Sequence, residues 1–150
     1  MKGRLGVRLT SMTVYLTFAF CLLAFSFACA LKANRGGIPA EAQAAVDAAS
    51  EDMAEGRYEE IYAEAAEEWR QASTPEESSA IFKRLKEKLG AVKSRSFHSA
   101  TEQDGSNGHS FTIVYETSFE RGEGMETFTV VERDRRWLLA RYFVNSDALK

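Results

Sequence analysis

The sequence predicts an α+β fold: an N-terminal apolar leader helix, then three helices packed on a curved four-stranded antiparallel sheet. Three observations predict it. Ser94 to Val144 reads as four consecutive strands joined by short turns. Ala40 to Leu89 reads as helices with apolar stripes at spacings of three and four. Leu9 to Leu31 runs without a single charge and stands apart from both. Helices followed by strands, rather than alternating with them, is the pattern of helices layered on one side of an antiparallel sheet.

The leader begins with Lys2, Arg4 and Arg8, and Val14 to Phe27 is dense in Leu, Phe, Ala and Val. A basic start followed by an apolar run is the plan of a secretory signal. Ala28-Cys29-Ala30 fits the small-x-small rule for cleavage after Ala30. Two other readings stay open. Residues 9–31 are long enough to cross roughly 30 Å of hydrocarbon as a retained anchor. Alternatively, Cys29 becomes a lipidated N-terminus, although Ser26 and Phe27 depart from the usual lipobox. All three place the rest of the chain across the cytoplasmic membrane, periplasmic, extracellular or anchored. Segments 1–30 and 31–39 are read as leader and linker, and 40–150 as one α+β domain.

Ala40 to Ala54 is rich in Ala and Glu, which favour helix, and carries a thin stripe of Ala42, Ala45, Val46, Ala49 and Met53. Gly56 interrupts it. Tyr58 to Gln71 resumes the pattern as one helix, with Tyr58, Ile61, Tyr62, Ala65 and Trp69 on one face. The third helix has both ends marked. Thr74 and Glu77 form a capping box, Pro75 suits the first helical position, and Gly90 suits the end. Its buried side is expected to be Ile81, Phe82, Leu85 and Leu89.

In the strands, Ser94 to Gln103 is a weak segment around Phe97. Ser110 to Glu120 alternates strictly, with Phe111, Ile113, Tyr115, Thr117 and Phe119 on one face, as a half-buried strand requires. Arg121-Gly122-Glu123-Gly124 is read as a turn using positive φ at its glycines. Met125 to Glu132 returns, with Phe128 and Val130 on one face. Arg133-Asp134-Arg135-Arg136 is the next turn. Trp137 to Asn145 is apolar on both faces, which suits a central strand or one whose outer face meets another surface.

Composition narrows the functional classes. The chain has 150 residues, enough for one domain. Without the first 30 residues it holds 16 basic against 22 acidic groups, and nothing in it forms the basic stripe that nucleic acid requires. Both cysteines, Cys21 and Cys29, lie in the leader, so the domain beyond Ala30 depends on its core rather than on disulfides. Charge is uneven: Glu41 to Glu77 has 12 acidic and 2 basic residues, while Ile81 to Ala100 has six basic residues against Glu87 alone. The simple reading is two solvated faces that attract each other. The other reading is an anionic partner, such as lipid headgroups, for the basic helix.

Gly90-Ala91-Val92-Lys93-Ser94-Arg95 leads out of a helix into a strand. Tyr115, Glu116 and Phe119 follow, then Glu126-Thr127, Trp137 and Tyr142-Phe143-Val144. In this order the residues resemble the bacterial envelope domains of the domain of unknown function 4019 family, over about Ala42 to Asn145. That family is similar to the cystatin-like and nuclear-transport-factor-2-like cone-shaped folds. Arg141 stands where the family usually has Gly. The resemblance implies an exported domain without assigned catalytic residues.

Direct chemical signals are few. His98 and His109 have no Cys, His or Glu partner at zinc-site spacing, so no metal site is expected. Gly122-Glu123-Gly124 precedes no helix and is not a nucleotide loop, and no cofactor is expected. The expectation is a non-enzymatic ligand- or protein-binding module of the cell envelope. Its ligand-binding candidates are Tyr62, Trp69, Phe82 and Tyr115, between helices and sheet. Its interface candidates are Trp137 and Phe143 on the outer face of the last strand, for a homodimer or an envelope partner. The alternative is a small isomerase- or dehydratase-like enzyme in the same pocket, drawing on Tyr62, His98, Tyr115 or Tyr142. That chemistry needs an acid or base beside the phenol, and no carboxylate is expected to point inward, Glu126 being assigned near a strand end.

Overall fold

The computed structural model describes residues 37–105 and 108–150. The basic start, the apolar run, the cleavage point at Ala30, Cys29 and most of the linker lie outside the described residues. Among the described residues, no helix is long and apolar enough to cross a membrane.

Among the described residues, four helices precede four strands: α1 Ala40–Glu55, α2 Tyr58–Glu64, α3 Glu67–Ala72, α4 Pro75–Leu89, β1 Val92–Gly105, β2 Gly108–Phe119, β3 Gly122–Arg133 and β4 Arg136–Asn145. A 3₁₀ turn, Asp147–Leu149, follows. The strands form an antiparallel sheet in the order β1-β2-β3-β4. The helices cover one face. Ala42, Val46, Tyr58, Ile61, Ala65, Trp69 and Phe82 meet Phe111, Ile113, Tyr115, Phe128, Val130 and Leu139 in one buried cluster.

The single helix expected from Tyr58 to Gln71 is two. Ala65 and Ala66 are extended, and the Ala66 amide donates to the Leu139 carbonyl over 2.8 Å. Both alanines are almost fully buried. Their small side chains let the backbone come close enough to β4 to make a main-chain bond, and that bond replaces a helical one.

α4 is capped as its sequence indicates, with reciprocal bonds between Thr74 and Glu77 and Pro75 at the first position. Its buried face is rotated from expectation. Ser78 is fully buried and accepts a 3.0 Å hydrogen bond from the Trp69 indole, whereas Ile81 is 43% exposed. The seam therefore runs through Ser78, Phe82, Leu85 and Leu89. Phe82 stacks on Tyr58 and Trp69 and meets Tyr142 at a tilt, with ring centroids 5.6 to 5.8 Å apart, a separation at which aromatic pairs attract.

Three details of the sheet differ from the sequence reading. The β2–β3 turn sits at Glu120-Arg121, and Gly122 and Gly124 are strand residues without positive φ. Gly124 is needed for close approach, since a Cβ there would lie 2.8 Å from the Asn145 carbonyl oxygen. The β3–β4 turn takes positive φ at Asp134 and Arg135. β4 is an edge strand, not a central one. Its register shifts between Thr129 and Val130. That bulge reverses the alternation: Trp137 packs on the core with Phe111, while Phe143 is 59% exposed. The two residues do not share a face.

Candidate functional site

Each strand sends one polar side chain to the same place beneath α4. Thr117 belongs to the inward row of β2, and Arg95 of β1 pairs opposite it. Tyr115, also inward, pairs with Glu126, so Glu126 takes the inward position on β3, two residues before Phe128. Tyr142 of β4 pairs with Phe128 and lies diagonally across from Glu126.

Glu126 is fully buried and accepts from all three neighbours. Arg95 grips it with both Nε and Nη2, the latter at 2.9 Å. The Thr117 hydroxyl donates to Oε2 over 2.6 Å, and the Tyr142 hydroxyl to Oε1 over 2.5 Å. A carboxylate offers about four acceptor positions, and here four donors occupy them. A charge buried at this depth persists only when paired and hydrogen-bonded.

The neighbours are tuned accordingly. Burial opposes the charged form of Arg95, but the hydrogen bond and charge of Glu126 outweigh it and raise its pKa above the usual value. The guanidinium also lies 5.5 Å from the Phe128 ring centroid, a favourable cation–π distance. Burial pushes the Tyr142 phenol far up, and the adjacent Glu126 charge pushes it further. Tyr142 is therefore a neutral, permanent donor.

This network floors a cavity of about 250 Å³. Met53, Tyr58, Phe82, Leu85, Leu89 and Phe119 supply apolar wall, and Arg95, Glu126 and Tyr142 supply the polar patch. Of the ligand-binding residues expected from sequence, only Phe82 lines it. Trp69 stacks behind Phe82, and half-buried Tyr62 packs on the main core. Tyr115 donates to Gln43 Oε1 over 2.9 Å, away from the cavity. The expectation that no acid faces inward is corrected by Glu126. The strand begins at Gly122, so Glu126 is interior, and period two already placed it with Phe128 and Val130.

The histidines also acquire partners that sequence spacing did not show. His98 Nδ1 lies 3.3 Å from Glu116 at the exposed surface. His109 Nε2 lies 2.7 Å from Glu102 and Nδ1 3.4 Å from Glu132, and its ring packs on Phe111 and Trp137. Glu102, Asp104 and His109 bring ligand-type atoms within 4.8 Å of one another, with both acids exposed. Strand pairing, not spacing along the chain, assembles these groups.

Residues 45–142 match the family model described as "Protein of unknown function (DUF4019)". The chain belongs to this family. No curated protein matches it. The matched DUF4019 region spans α1 to β4, and so includes Arg95, Thr117, Glu126 and Tyr142.

Proposed function

We propose that this DUF4019 chain is an exported or membrane-anchored cell-envelope protein that binds a small apolar ligand in the cavity between α4 and the sheet, and that it catalyses no reaction there. The observation that carries this reading is the saturated state of Glu126. A general base needs a free lone pair within reach of the substrate proton, and four donors occupy this carboxylate. Tyr142 is the phenol nearest to it, and its raised pKa makes it a poor proton donor to a substrate. The isomerase or dehydratase reading therefore lacks its acid–base pair. A concave, mostly apolar site with a few convergent polar groups is what a small-molecule site requires. Localisation rests on the basic start and uncharged run of the leader. The expected homodimer or envelope partner would use Phe143 on the open face of β4, without Trp137.

Benzene is a suitable first probe, because an engineered apolar cavity of roughly 150 Å³ already accepts it. Benzene should raise the melting temperature of the folded chain in a concentration-dependent way. Leu85→Trp, which places an indole in the cavity, should remove that rise. Identical behaviour of the two chains counts against the cavity as a binding site.

A further inference from the structure

Resting on the cavity as the binding site, we infer the class of ligand it takes: an uncharged molecule with an apolar body and one hydrogen-bond-acceptor oxygen, such as an alcohol, ester or amide. Three observations lead there.

The first is charge. Arg95 and Glu126 form an ion pair whose two members both line the cavity, and Glu126 is fully buried. The pair is neutral as a unit. A second carboxylate on the outer edge of Arg95 would leave one uncompensated negative charge beside Glu126 in an apolar enclosure, where ion pairing is hard to replace. A cation is no better placed, because Glu126 has no acceptor position left for it. Among the described residues, the one other ionic group in the wall is Lys86, which is exposed and donates to the Ala54 carbonyl over 3.0 Å. Its charge sits in solvent, where salt screens it.

The second is an uncommitted donor. Arg95 Nη1 has no hydrogen-bond partner among the described residues. No buried side-chain nitrogen or oxygen is left without a partner there. Nη1 therefore reaches accessible space, on a side chain that lines the cavity. An arginine fork offers five N–H groups, so an acceptor oxygen can be held without disturbing the grip on Glu126.

The third is size. Scaling from benzene in a cavity of roughly 150 Å³, the present 250 Å³ accommodates an apolar body of about ten carbons. The wall residues are Leu, Met, Phe and Tyr, which match a short acyl chain or a substituted ring.

Octan-1-ol, octanoate and octylammonium carry the same tail with neutral, negative and positive heads. They are to be titrated at pH 7.5 into the full chain as its host cell processes it, prepared without detergent, with binding read by calorimetry and saturation-transfer NMR. Octanol should bind at least tenfold more tightly than either ion, with little dependence on salt. Arg95→Lys keeps a positive charge for Glu126 and removes the spare fork; it should weaken octanol about tenfold. Leu85→Trp leaves the Arg95–Glu126 pair in place and should block all three, which tests the cavity independently of the arginine variant. Octanoate or octylammonium binding as tightly as octanol overturns the neutral-ligand inference and leaves the cavity reading standing. Unchanged octanol affinity in folded Arg95→Lys overturns the role of the spare donor. No binding of any of the three, together with no benzene effect, overturns the cavity reading itself.

Discussion

Tyr142 on β4 donates its hydroxyl to Glu126 on β3 over 2.5 Å, completing a carboxylate that Arg95 and Thr117 hold from the other two strands. One buried charge thereby ties all four strands together. Removing the phenol hydroxyl should be a moderate loss, because Oε1 keeps Arg95 Nη2. Tyr142→Phe should cost about 1.5 kcal/mol, the lower range for a hydrogen bond to a charged group. Glu126→Gln should be worse, at about 3 kcal/mol, the low end for breaking a buried pair, because it leaves the partly buried Arg95 without its carboxylate partner. Urea denaturation of the three chains tests the order. Equal losses would mean that the Arg95 pairing contributes nothing beyond the Tyr142 bond.

The same pair sets an alkaline limit. The pKa of Tyr142 is raised above its ordinary value of 10.0 in the folded protein, first by burial and then by Glu126. A folded value above the unfolded one means that the unfolded chain releases this proton first as pH rises. The associated stability is complete below about pH 10 and declines as pH climbs above it toward the folded value. Tyrosinate absorbance should show a tyrosine step that appears only as the protein unfolds. Tyr142→Phe should lose that step. A tyrosinate titration unchanged by Tyr142→Phe would contradict this burial.

The sheet was legible in the sequence because its signal is local. Strict alternation from Phe111 to Phe119 and the paired caps of α4 require no knowledge of distant residues. The site was not legible, for a physical reason. Arg95, Thr117, Glu126 and Tyr142 are polar residues on four different strands, and only their register brings them together. Arg95 read as one of a run of basic residues, and Glu126 as a strand-end acid. The β4 bulge was equally hidden, since period-two counting puts Trp137 and Phe143 on one side. The break at Ala65-Ala66 depends on a carbonyl of Leu139, more than 70 positions away.

The rotation of α4 is directly measurable. Phe82 and Ile113 are 3% and 0% exposed, whereas Ile81 is 43% exposed. Phe82→Ala should cost about 3–5 kcal/mol and Ile113→Ala about 2–5 kcal/mol. Ile81→Ala should cost no more than about 0.5 kcal/mol, the usual scale of a surface change. A loss at Ile81 matching that at Phe82 would return the seam to the position that the sequence alone suggested.

The leader yields a discrete prediction. Mass spectrometry of the native protein should show a chain beginning at Leu31, an intact N-terminus, or a lipid on Cys29, corresponding to cleavage, anchoring or lipidation. A reporter fused after Lys150 should be active only when it folds outside the cytoplasmic membrane. A reporter that works only in the cytoplasm contradicts all three forms of export.

His109 provides a last, independent test of the strand register. The Glu102 hydrogen bond is the main cause that raises its pKa above 6.5, burial works against this, and Glu132 adds to the rise. Glu102 lies on β1 and Glu132 on β3, so the shift exists only if β2 is seated between them as observed. With the folded value raised, protonated His109 favours the folded state. That contribution is complete below about pH 6.5, the unfolded value, and is lost as pH rises through the folded value. The His109 ring signals should therefore titrate with a midpoint above 6.5 in NMR spectra of the native chain. Glu102→Gln should move that midpoint down more than Glu132→Gln does, because its contact is shorter, 2.7 Å against 3.4 Å. A His109 midpoint unmoved by either substitution would place this histidine away from both carboxylates and contradict the pairing of β1 with β2 at this end of the sheet.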